Sequence, residues 1–313
     1  MLHDMDAGSP IVVCGSPTAL GGHFGGMERT PAELRRLGLL DRLGAEPRLA
    51  GTAWHDHGDA ANDPGWAPDP DPRAKNRARI CDYLPRLADH IADGLRTHGP
   101  DARLLVLGGD CTTHAGATAG IRRARPGTRL GLVWFDAHGD FNTPETTPSG
   151  NVWGMPFAML CGRGDPDLLA ACDAPSVRAD DAALAGGQVL DETESRMLAA
   201  SPVAHFGAGM LATDAGRDAL AAWSAAVATR VDGWYVAFDL DAIDAAAGLA
   251  LAMPEPDGLS LDDAVTAVGR IADTGSVIGF GATAAMFGRD GDAAATVDAI
   301  ARLAEAALGQ PAD

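Results

Sequence analysis

The sequence predicts an α/β fold in which one mostly parallel β-sheet is covered on both faces by helices. Strand-like apolar runs alternate with helical patterns from end to end, which is typical of successive βαβ units. Ionisable side chains collect directly after several of these runs, where open parallel sheets bind their ligands. Because no long linker divides the 313 residues, we expect a single domain over 1–313, with flexible ends at about 1–8 and 310–313.

Each predicted element follows from its own apolar pattern. Short apolar runs that read as strands buried on both faces are IVVCG (11–15), RLLVLGG (103–109), RLGLVWF (129–135), WYVAFDL (234–240) and VIGFG (277–281). Apolar residues recur at three- and four-residue spacing in two segments, 76–97 and 291–308, which predicts helices there. A further helix is expected to begin near Thr112. The segment 57–72, rich in Pro, Gly and Asp, is predicted to be a surface loop.

Composition restricts the class of partner. The chain has 24 Lys and Arg against 43 Asp and Glu, a formal net charge of -19, which argues against nucleic acid and anionic membranes. The five cysteines form no CxxC pair, which favours a reduced, cytoplasmic setting. The start, MLHDMDAGSP, lacks the basic and apolar regions of a secretion signal, and no window approaches the length of a membrane span. Composition argues against these classes of partner and does not by itself identify one.

Ligand-type side chains follow three of the predicted strands. In LVWFDAHGDFN (132–142), Asp136, His138 and Asp140 occupy alternate positions, and alternate residues of a strand point to the same side. FDLDAID places Asp239 and Asp241 in the same relation, and LGGDC ends in Cys111. Together these groups suit two divalent cations that share carboxylates, since such a cluster is costly to bury without a cation. The alternative is that strand-end Asp residues cap helices or close turns.

These motifs resemble the ureohydrolases, the family of arginase, agmatinase and formiminoglutamase. The resemblance covers most of the chain and rests on the segments GGMERTPAELRRLGLLDRL (25–43), LGGDC, FDAHGDFNTPETTPSGNVWGMP (135–156), FDLDAID and MPEPDGLS (253–260). It implies a single three-layer α/β/α domain and a binuclear centre, usually of manganese.

The resemblance also implies which residues hold each metal ion. One ion would take Cys111, Asp136, Asp140 and Asp239, and the other His138, Asp136, Asp239 and Asp241. Asp136 and Asp239 would bridge. A hydroxide would attack an amidine or guanidine carbon to form a tetrahedral intermediate. Asp140 would accept a hydrogen bond from that hydroxide and later pass a proton to the leaving nitrogen.

The sequence departs from the family pattern at three positions. Cys111 replaces the usual histidine, and a thiolate shifts metal preference toward zinc or iron; the alternative is a packed cysteine and a lost ion. Trp153 stands where many arginases have a proton-shuttle histidine, and indole cannot carry that proton. His23 is a candidate replacement, with a solvated loop histidine as the alternative. Ala284 stands near the place of a carboxylate that pairs with the substrate's guanidinium.

Other positions match those that contact an amino-acid substrate. Asn142, Ser149 and Asn151 correspond to residues that recognise the α-carboxylate and α-amino group, and Asp191 and Glu194 to acids that meet the α-ammonium. The alternatives are a turn-rich loop and a helix N-terminus that favours acids.

The combination of Cys111, Trp153 and the HGDFNTPETT string resembles the Nω-hydroxy-L-arginine amidinohydrolases, which release hydroxyurea and ornithine. The expected function is therefore hydrolysis of a guanidino or N-hydroxyguanidino amino acid. An agmatinase or guanidino-acid hydrolase is one alternative. A non-catalytic relative that binds a small molecule or a protein is the other. Family members form trimers and hexamers, and the sequence leaves the oligomeric state open.

Overall fold

The computed structural model describes residues 8–61 and 66–309. The predicted flexible ends, 1–8 and 310–313, lie outside these ranges except for Gly8, and so do residues 62–65 of the predicted loop. Eight strands of the described chain form one sheet: β1 (Ile11–Ser16), β2 (Trp54–Asp59), β3 (Arg103–Gly108), β4 (Leu130–Asp136), β5 (Val177–Gly186), β6 (Ala204–Gly207), β7 (Gly233–Asp239) and β8 (Val277–Thr283).

The strand order across the sheet is β2-β1-β3-β8-β7-β4-β5-β6, and every pair of neighbours is parallel. The predicted α/β fold is therefore confirmed, and each of the five predicted strands is present within two residues of its predicted ends.

Three strands of the sheet were not predicted from the sequence: β2, β5 and β6. β2 reads WHDHGD and lies half-buried at the sheet edge, so it has no apolar run, and the predicted loop 57–72 is wrong over its first three residues. β5 begins with polar residues, and β6 has only four.

Helices connect and cover the strands: α1 (Thr30–Arg36), α2 (Leu39–Gly44), α3 (Arg77–His98), α4 (Thr113–Ala124), α5 (Pro156–Leu160), α6 (Pro166–Ala171), α7 (Glu192–Ala199), α8 (Ala208–Leu211), α9 (Asp214–Ala228), α10 (Leu261–Ala272) and α11 (Ala293–Leu308). Short 3₁₀ helices span Met27–Arg29, Pro47–Leu49, Val152–Gly154, Leu240–Ala242 and Ala245–Ala247. The helices predicted over 76–97, near Thr112 and over 291–308 correspond to α3, α4 and α11. No helix in the described ranges is long and apolar enough to cross a membrane.

The two faces of the sheet carry separate hydrophobic clusters. Along β4, Val133 and Phe135 belong to one cluster, which α1, α2, α10 and α11 also enter, whereas Leu132 and Trp134 belong to the other, which contains residues of α3 to α6. All four side chains are fully buried. This alternation explains why β4 is a continuous apolar run: each face of a parallel sheet lies beneath helices.

The sheet order brings the ligand-type residues to one edge. β3, β8, β7 and β4 are consecutive, so the carboxyl ends of β3, β7 and β4 lie close together, with β8 between β3 and β7. The loop after β1 packs directly on the end of β3, because a Cβ added at Gly109 would lie 1.8 Å from the backbone oxygen of Thr18. Only glycine at position 109 lets the two backbone segments come this close, and their contact holds the turn that carries Cys111 in place.

Candidate metal centre and substrate cavity

Cys111, Asp136 and Asp239 form the first cluster at this edge. One potential ligand atom from each lies within 4.8 Å of the others, and all three residues are buried. The Cys111 thiol donates a hydrogen bond to Asp239 Oδ2 at 2.9 Å. Burial, followed by the charges of Asp239, Asp140 and Asp136, raises the pKa of the thiol well above its ordinary value. Cys111 therefore faces carboxylates and is not simply packed among apolar groups.

Asp136, His138 and Asp241 form the second cluster, under the same distance criterion. His138 Nδ1 lies 3.3 Å from Asp136 Oδ1 and 3.2 Å from Asp241 Oδ2. Its other ring nitrogen, Nε2, lies 3.6 Å from Glu255 Oε1. Glu255 belongs to the MPEPDG segment and was not singled out from the sequence as a site residue. Asp136 takes part in both clusters, which is the position that a bridging ligand requires, whereas Asp239 takes part only in the first.

Asp140 lies beside the two clusters without belonging to either. It is 4% exposed, and its Oδ2 is buried without a hydrogen-bond partner among the described residues. Its φ of 47° is in the left-handed region, which is uncommon for a residue other than glycine and is found at functional sites. Burial and then the charge of Asp136 raise the pKa of this carboxyl well above its ordinary value.

The cluster carries more negative charge than its protein neighbours balance. Burial first, then Asp241 and Asp136, raises the pKa of Asp239, and burial followed by Asp136 raises that of Asp241 to about 6. Within the described ranges, neither Lys nor Arg lies at ion-pair distance from Asp136, Asp140, Asp239 or Asp241, and His138 is the nearest cationic group. Such an arrangement calls for bound cations, since unpaired buried charge is costly.

The donor set fits divalent ions. Carboxylate oxygens, an imidazole nitrogen and a thiol sulfur are all ligand types of first-row metals, and the unpartnered Oδ2 of Asp140 is a further donor. The carboxylates also accept local backbone bonds, as the turn-closing alternative predicts: Asp136 Oδ1 accepts from the His138 amide at 2.7 Å and Asp239 Oδ1 from the Asp241 amide at 3.0 Å. Since each carboxylate has further lone pairs, these bonds hold the side chains in place and leave acceptors free.

Trp134 supports the site from the apolar side. Its Nε1–H donates to Asp136 Oδ2 at 2.9 Å, and its ring stacks on Phe157 with 5.4 Å between centroids. This contact was not predicted, because an apolar strand residue gives no sign that its polar atom faces a carboxylate two positions on. His114, three residues after Cys111, lies in the first turn of α4, and its ring does not face the two clusters. Its nitrogens contact Tyr235 Oη (2.9 Å) and Thr283 Oγ1 (3.1 Å) in the core.

A cavity of about 350 Å³ opens above these clusters. Every predicted substrate-contacting residue lines it, together with all of the predicted metal ligands except Asp136. These lining residues are Asn142, Ser149, Asn151, Asp191, Glu194, Cys111, His138, Asp140, Asp239 and Asp241. The sequence-predicted groups thus meet around one volume, although their individual roles stay predictions.

The predicted substrate contacts also have partners within the protein, as Asp191, Asn142 and Glu194 show. Asp191 is the N-cap of α7 and accepts from the amides of Thr193 and Glu194, both at 2.9 Å, which matches the helix N-terminus alternative. Its other oxygen accepts from Asn142 Nδ2 at 2.8 Å. Glu194 Oε1 accepts from the Phe141 amide at 2.8 Å, and burial raises its pKa to about 7.

The positions that depart from the family pattern also face the cavity. Trp153 and Ala284 both line it, and neither can ionise at physiological pH. The Trp153 ring forms edge contacts with His23 (5.1 Å between centroids) and Phe24 (5.5 Å). His23 lines the same cavity as the only imidazole there besides His138, as far as the described residues go.

Comparisons with known proteins agree with this fold. A sequence model of the arginase family matches residues 9–309. The arginase of Bacillus caldovelox is 28% identical over 275 residues, which cover 84% of this chain and 86% of that protein. The crystal structure of Entamoeba histolytica arginase in complex with L-ornithine superposes with a TM-score of 0.84 at 24% identity, covering 97% and 99% of the two chains. That of Bacillus subtilis arginase gives 0.83 at 26% identity over the same shares. The chain therefore belongs to the arginase family, whose members are metal-dependent hydrolases of linear amidines.

Proposed function

We propose that this chain is a binuclear-metal amidinohydrolase that cleaves the C–N bond of a guanidino or N-hydroxyguanidino amino acid. The observation that carries the proposal is the cage of carboxylates, thiol and imidazole at the base of the cavity, with too few protein cations to balance it. Cys111, Asp136, Asp140 and Asp239 would hold one cation, and His138 and Asp241, with Asp136 and Asp239 shared, the other. Divalent cations bound there would supply a hydroxide nucleophile near neutral pH.

The side chains of the chain itself would orient the substrate and move its protons. Five polar side chains line the cavity above the cage and offer hydrogen-bonding groups to the α-amino and α-carboxylate groups of the substrate. They are Asn142, Ser149, Asn151, Asp191 and Glu194. Asp140 is our candidate for the proton carrier, because its buried Oδ2 has no partner in the described residues and its carboxyl borders the cavity. In the overall reaction a C–O bond forms at the guanidine carbon, the C–N bond breaks, and the departing amine takes up a proton.

Ala284 favours an N-hydroxyguanidine over guanidine itself as the head group. A guanidinium is always charged and gains most from a facing carboxylate, whereas the less basic N-hydroxyguanidine needs that partner less. Ala284 lines the cavity and contributes no charge. The finer proposal is therefore conversion of Nω-hydroxy-L-arginine to hydroxyurea and ornithine. The native metal is proposed as Mn²⁺, with Zn²⁺ or Fe²⁺ as the options that the Cys111 thiolate would favour.

A substrate panel with metal analysis tests these proposals. The protein is reconstituted separately with Mn²⁺, Zn²⁺ and Fe²⁺, and its metal content is measured before activity. L-Arginine, Nω-hydroxy-L-arginine, agmatine and formiminoglutamate are then supplied, and urea, hydroxyurea and amine products are quantified. We expect the highest kcat/KM on Nω-hydroxy-L-arginine. Preference for agmatine would support the agmatinase alternative, and less than one equivalent of every metal would contradict the enzyme and favour a non-catalytic relative.

A further inference from the structure

Glu255 contacts the His138 imidazole at the nitrogen that does not face the ligand clusters. His138 Nδ1 lies 3.3 Å from Asp136 Oδ1 and 3.2 Å from Asp241 Oδ2, whereas Nε2 lies 3.6 Å from Glu255 Oε1. The Glu255 side chain is 23% exposed, and among the described residues it is not one that lines the cavity. Glu255 therefore meets a ligand-type residue without reaching the volume that a substrate would fill.

The Glu255 carboxylate depends on His138 for a partner. Across residues 8–61 and 66–309, His138 is the one group within ion-pair distance of this carboxylate, and no hydrogen bond to it is present. A half-buried acid loses part of its hydration and is stabilised by the groups that face it. The separation of 3.6 Å is longer than an ordinary N–H···O bond, and a small rotation of the flexible glutamate side chain would bring its oxygen into hydrogen-bond range.

The loop that carries Glu255 is bonded to the chain that follows Asp241. The Ala245 amide donates to the Glu255 carbonyl at 2.9 Å, and the Gly258 amide donates to Asp244 Oδ2 at 3.1 Å. A Cβ added at Gly258 would lie 2.6 Å from the Asp244 backbone nitrogen, so the two segments are in close contact. The position of Glu255 is therefore tied to the same stretch of backbone that places Asp241 in the second cluster.

The tautomer of His138 connects Glu255 to metal binding. An imidazole nitrogen binds a metal ion through its lone pair, so a neutral ring that ligates through one nitrogen carries its proton on the other. The nitrogen of His138 that faces Asp136 and Asp241 is Nδ1. The proton of a ligating His138 would then be on Nε2, which faces Glu255. A carboxylate at that place stabilises this tautomer, fixes the orientation of the ring and makes Nδ1 a stronger ligand.

We propose that Glu255 is a positioning residue for the second cation: its carboxylate accepts the Nε2–H of His138 and holds the imidazole with the Nδ1 lone pair free to ligate. This inference rests on the proposed function for the presence of two bound cations, and not for the reaction that follows. Glu255 acts on one of the two ions, since the first cluster, which contains Cys111, does not include His138.

Metal affinity measured in two single-site backgrounds tests the inference. Cys111→Ala leaves the second cluster complete and His138→Ala leaves the first complete, so each background reports mainly one ion. Competition with a chelator gives the affinity for Mn²⁺ and for Zn²⁺, and the unfolding temperature checks the fold. Adding Glu255→Ala should weaken binding about 10–100-fold in the Cys111→Ala background and leave it unchanged in the His138→Ala background. Glu255→Gln keeps an acceptor oxygen, so it should lose less affinity than Glu255→Ala.

Asp257→Asn is the matched control. Asp257 is an exposed acid of the same loop, and its side chain forms no hydrogen bond or ion pair with any described residue. Its φ of 61° is a left-handed conformation that asparagine also adopts. The change removes one carboxylate that does not pair with His138, so it should leave both affinities unchanged.

The His138 proton gives a second readout that does not depend on affinity. In the Zn²⁺-loaded wild type, heteronuclear NMR should show the proton on Nε2, and this proton should exchange with water faster in Glu255→Ala. An equal loss of metal affinity in both backgrounds, or an unchanged affinity in the Cys111→Ala background, would overturn the inference. A proton on Nδ1 in the loaded protein would overturn it as well.

The outcome separates this inference from the proposed function. If Glu255→Ala weakens the second ion alone but no amidino compound is hydrolysed, the positioning role stands and the proposed reaction fails. If hydrolysis is observed and Glu255→Ala leaves metal affinity and the Nε2–H exchange unchanged, the reaction stands and the positioning role is refuted. A lower kcat at limiting Mn²⁺ that excess Mn²⁺ restores, with KM unchanged because Glu255 lies outside the cavity lining, supports both. A wild type that binds no cation refutes both.

Discussion

Replacing Cys111 provides the most direct test of the two-cation cage. The structure places Cys111 in only one of the two ligand clusters, with Asp136 and Asp239. Cys111→Ala removes one of three donors from that cluster and leaves the cluster of Asp136, His138 and Asp241 complete. We therefore expect the bound metal to fall from about two equivalents to about one, with the second ion retained.

Two further variants test the second cluster and the residue that the two clusters share. His138→Ala damages only the other cluster, so it should also leave about one equivalent, whereas Asp136→Asn affects both clusters and should lose most of the metal. Because a thiolate is a soft ligand, the loss in Cys111→Ala should be larger for Zn²⁺ and Fe²⁺ than for Mn²⁺. Metal content is measured by inductively coupled plasma mass spectrometry after removal and separate reloading of each ion, with the unfolding temperature as a check of folding.

Cys111→His completes this series by restoring the residue type usual in the family. If the thiolate is part of the native chemistry, the variant should bind metal and lose activity on the native substrate. A sharp gain in both metal content and activity would instead mean that the cysteine impairs the site. Full metal content with unchanged affinity in Cys111→Ala, for all three ions, would refute the assignment of Cys111 as a ligand.

Three further changes have expected effects on stability or metal affinity. Gly109→Ala should destabilise the fold by about 1–3 kcal/mol or more in urea unfolding, because its Cβ would meet a backbone oxygen at 1.8 Å. Gly44→Ala, with open space at the last residue of α2, should stabilise it by about 0.4–1 kcal/mol. Burial and then a neighbouring carboxylate raise the pKa of Glu46 above its ordinary value of 4.5. The protonated side chain therefore favours the folded state below that pH, and this stabilisation is lost as the pH rises. The free energy of unfolding of Glu46→Gln should equal that of the wild type near pH 4.5 and exceed it increasingly toward pH 8. Trp134→Phe removes the indole donor to Asp136 and should weaken metal binding about 10–100-fold, measured by competition with a chelator.

Each of these changes has an outcome that would contradict its reasoning. Equal stability of Gly109→Ala and Gly44→Ala would mean that the loop after β1 moves away from the added methyl group without a cost in free energy. A Glu46→Gln variant that loses stability relative to the wild type as the pH rises would mean that Glu46 is stabilised as a carboxylate. Unchanged metal affinity in Trp134→Phe, in a folded protein, would show that the indole bond does not position Asp136.

Much of the site could be predicted because its residues follow directly after buried strands. Asp136 and Asp239 are the last residues of β4 and β7. His138 and Asp140 lie in the loop after β4, and Asp241 lies in a 3₁₀ helix, so the alternation of a strand does not by itself explain where these three side chains point. The alternation of strands and helices then implies that strand ends meet at one edge. These inferences need only neighbouring residues, which is why the fold and the shared cavity could be expected.

The remaining features depend on contacts between residues far apart in the chain, which a local pattern does not encode. Glu255 approaches His138 across more than a hundred positions, and Lys75 reaches Asn151 across 76. The contacts of His114 with Tyr235 and Thr283, instead of the cage, likewise follow from how α4 packs on the sheet. Sequence by itself determined which side chains leave each strand together; the tertiary structure decided which of them meet, because the distance between strand ends depends on the order of strands in the sheet, and that order is not the order of the chain.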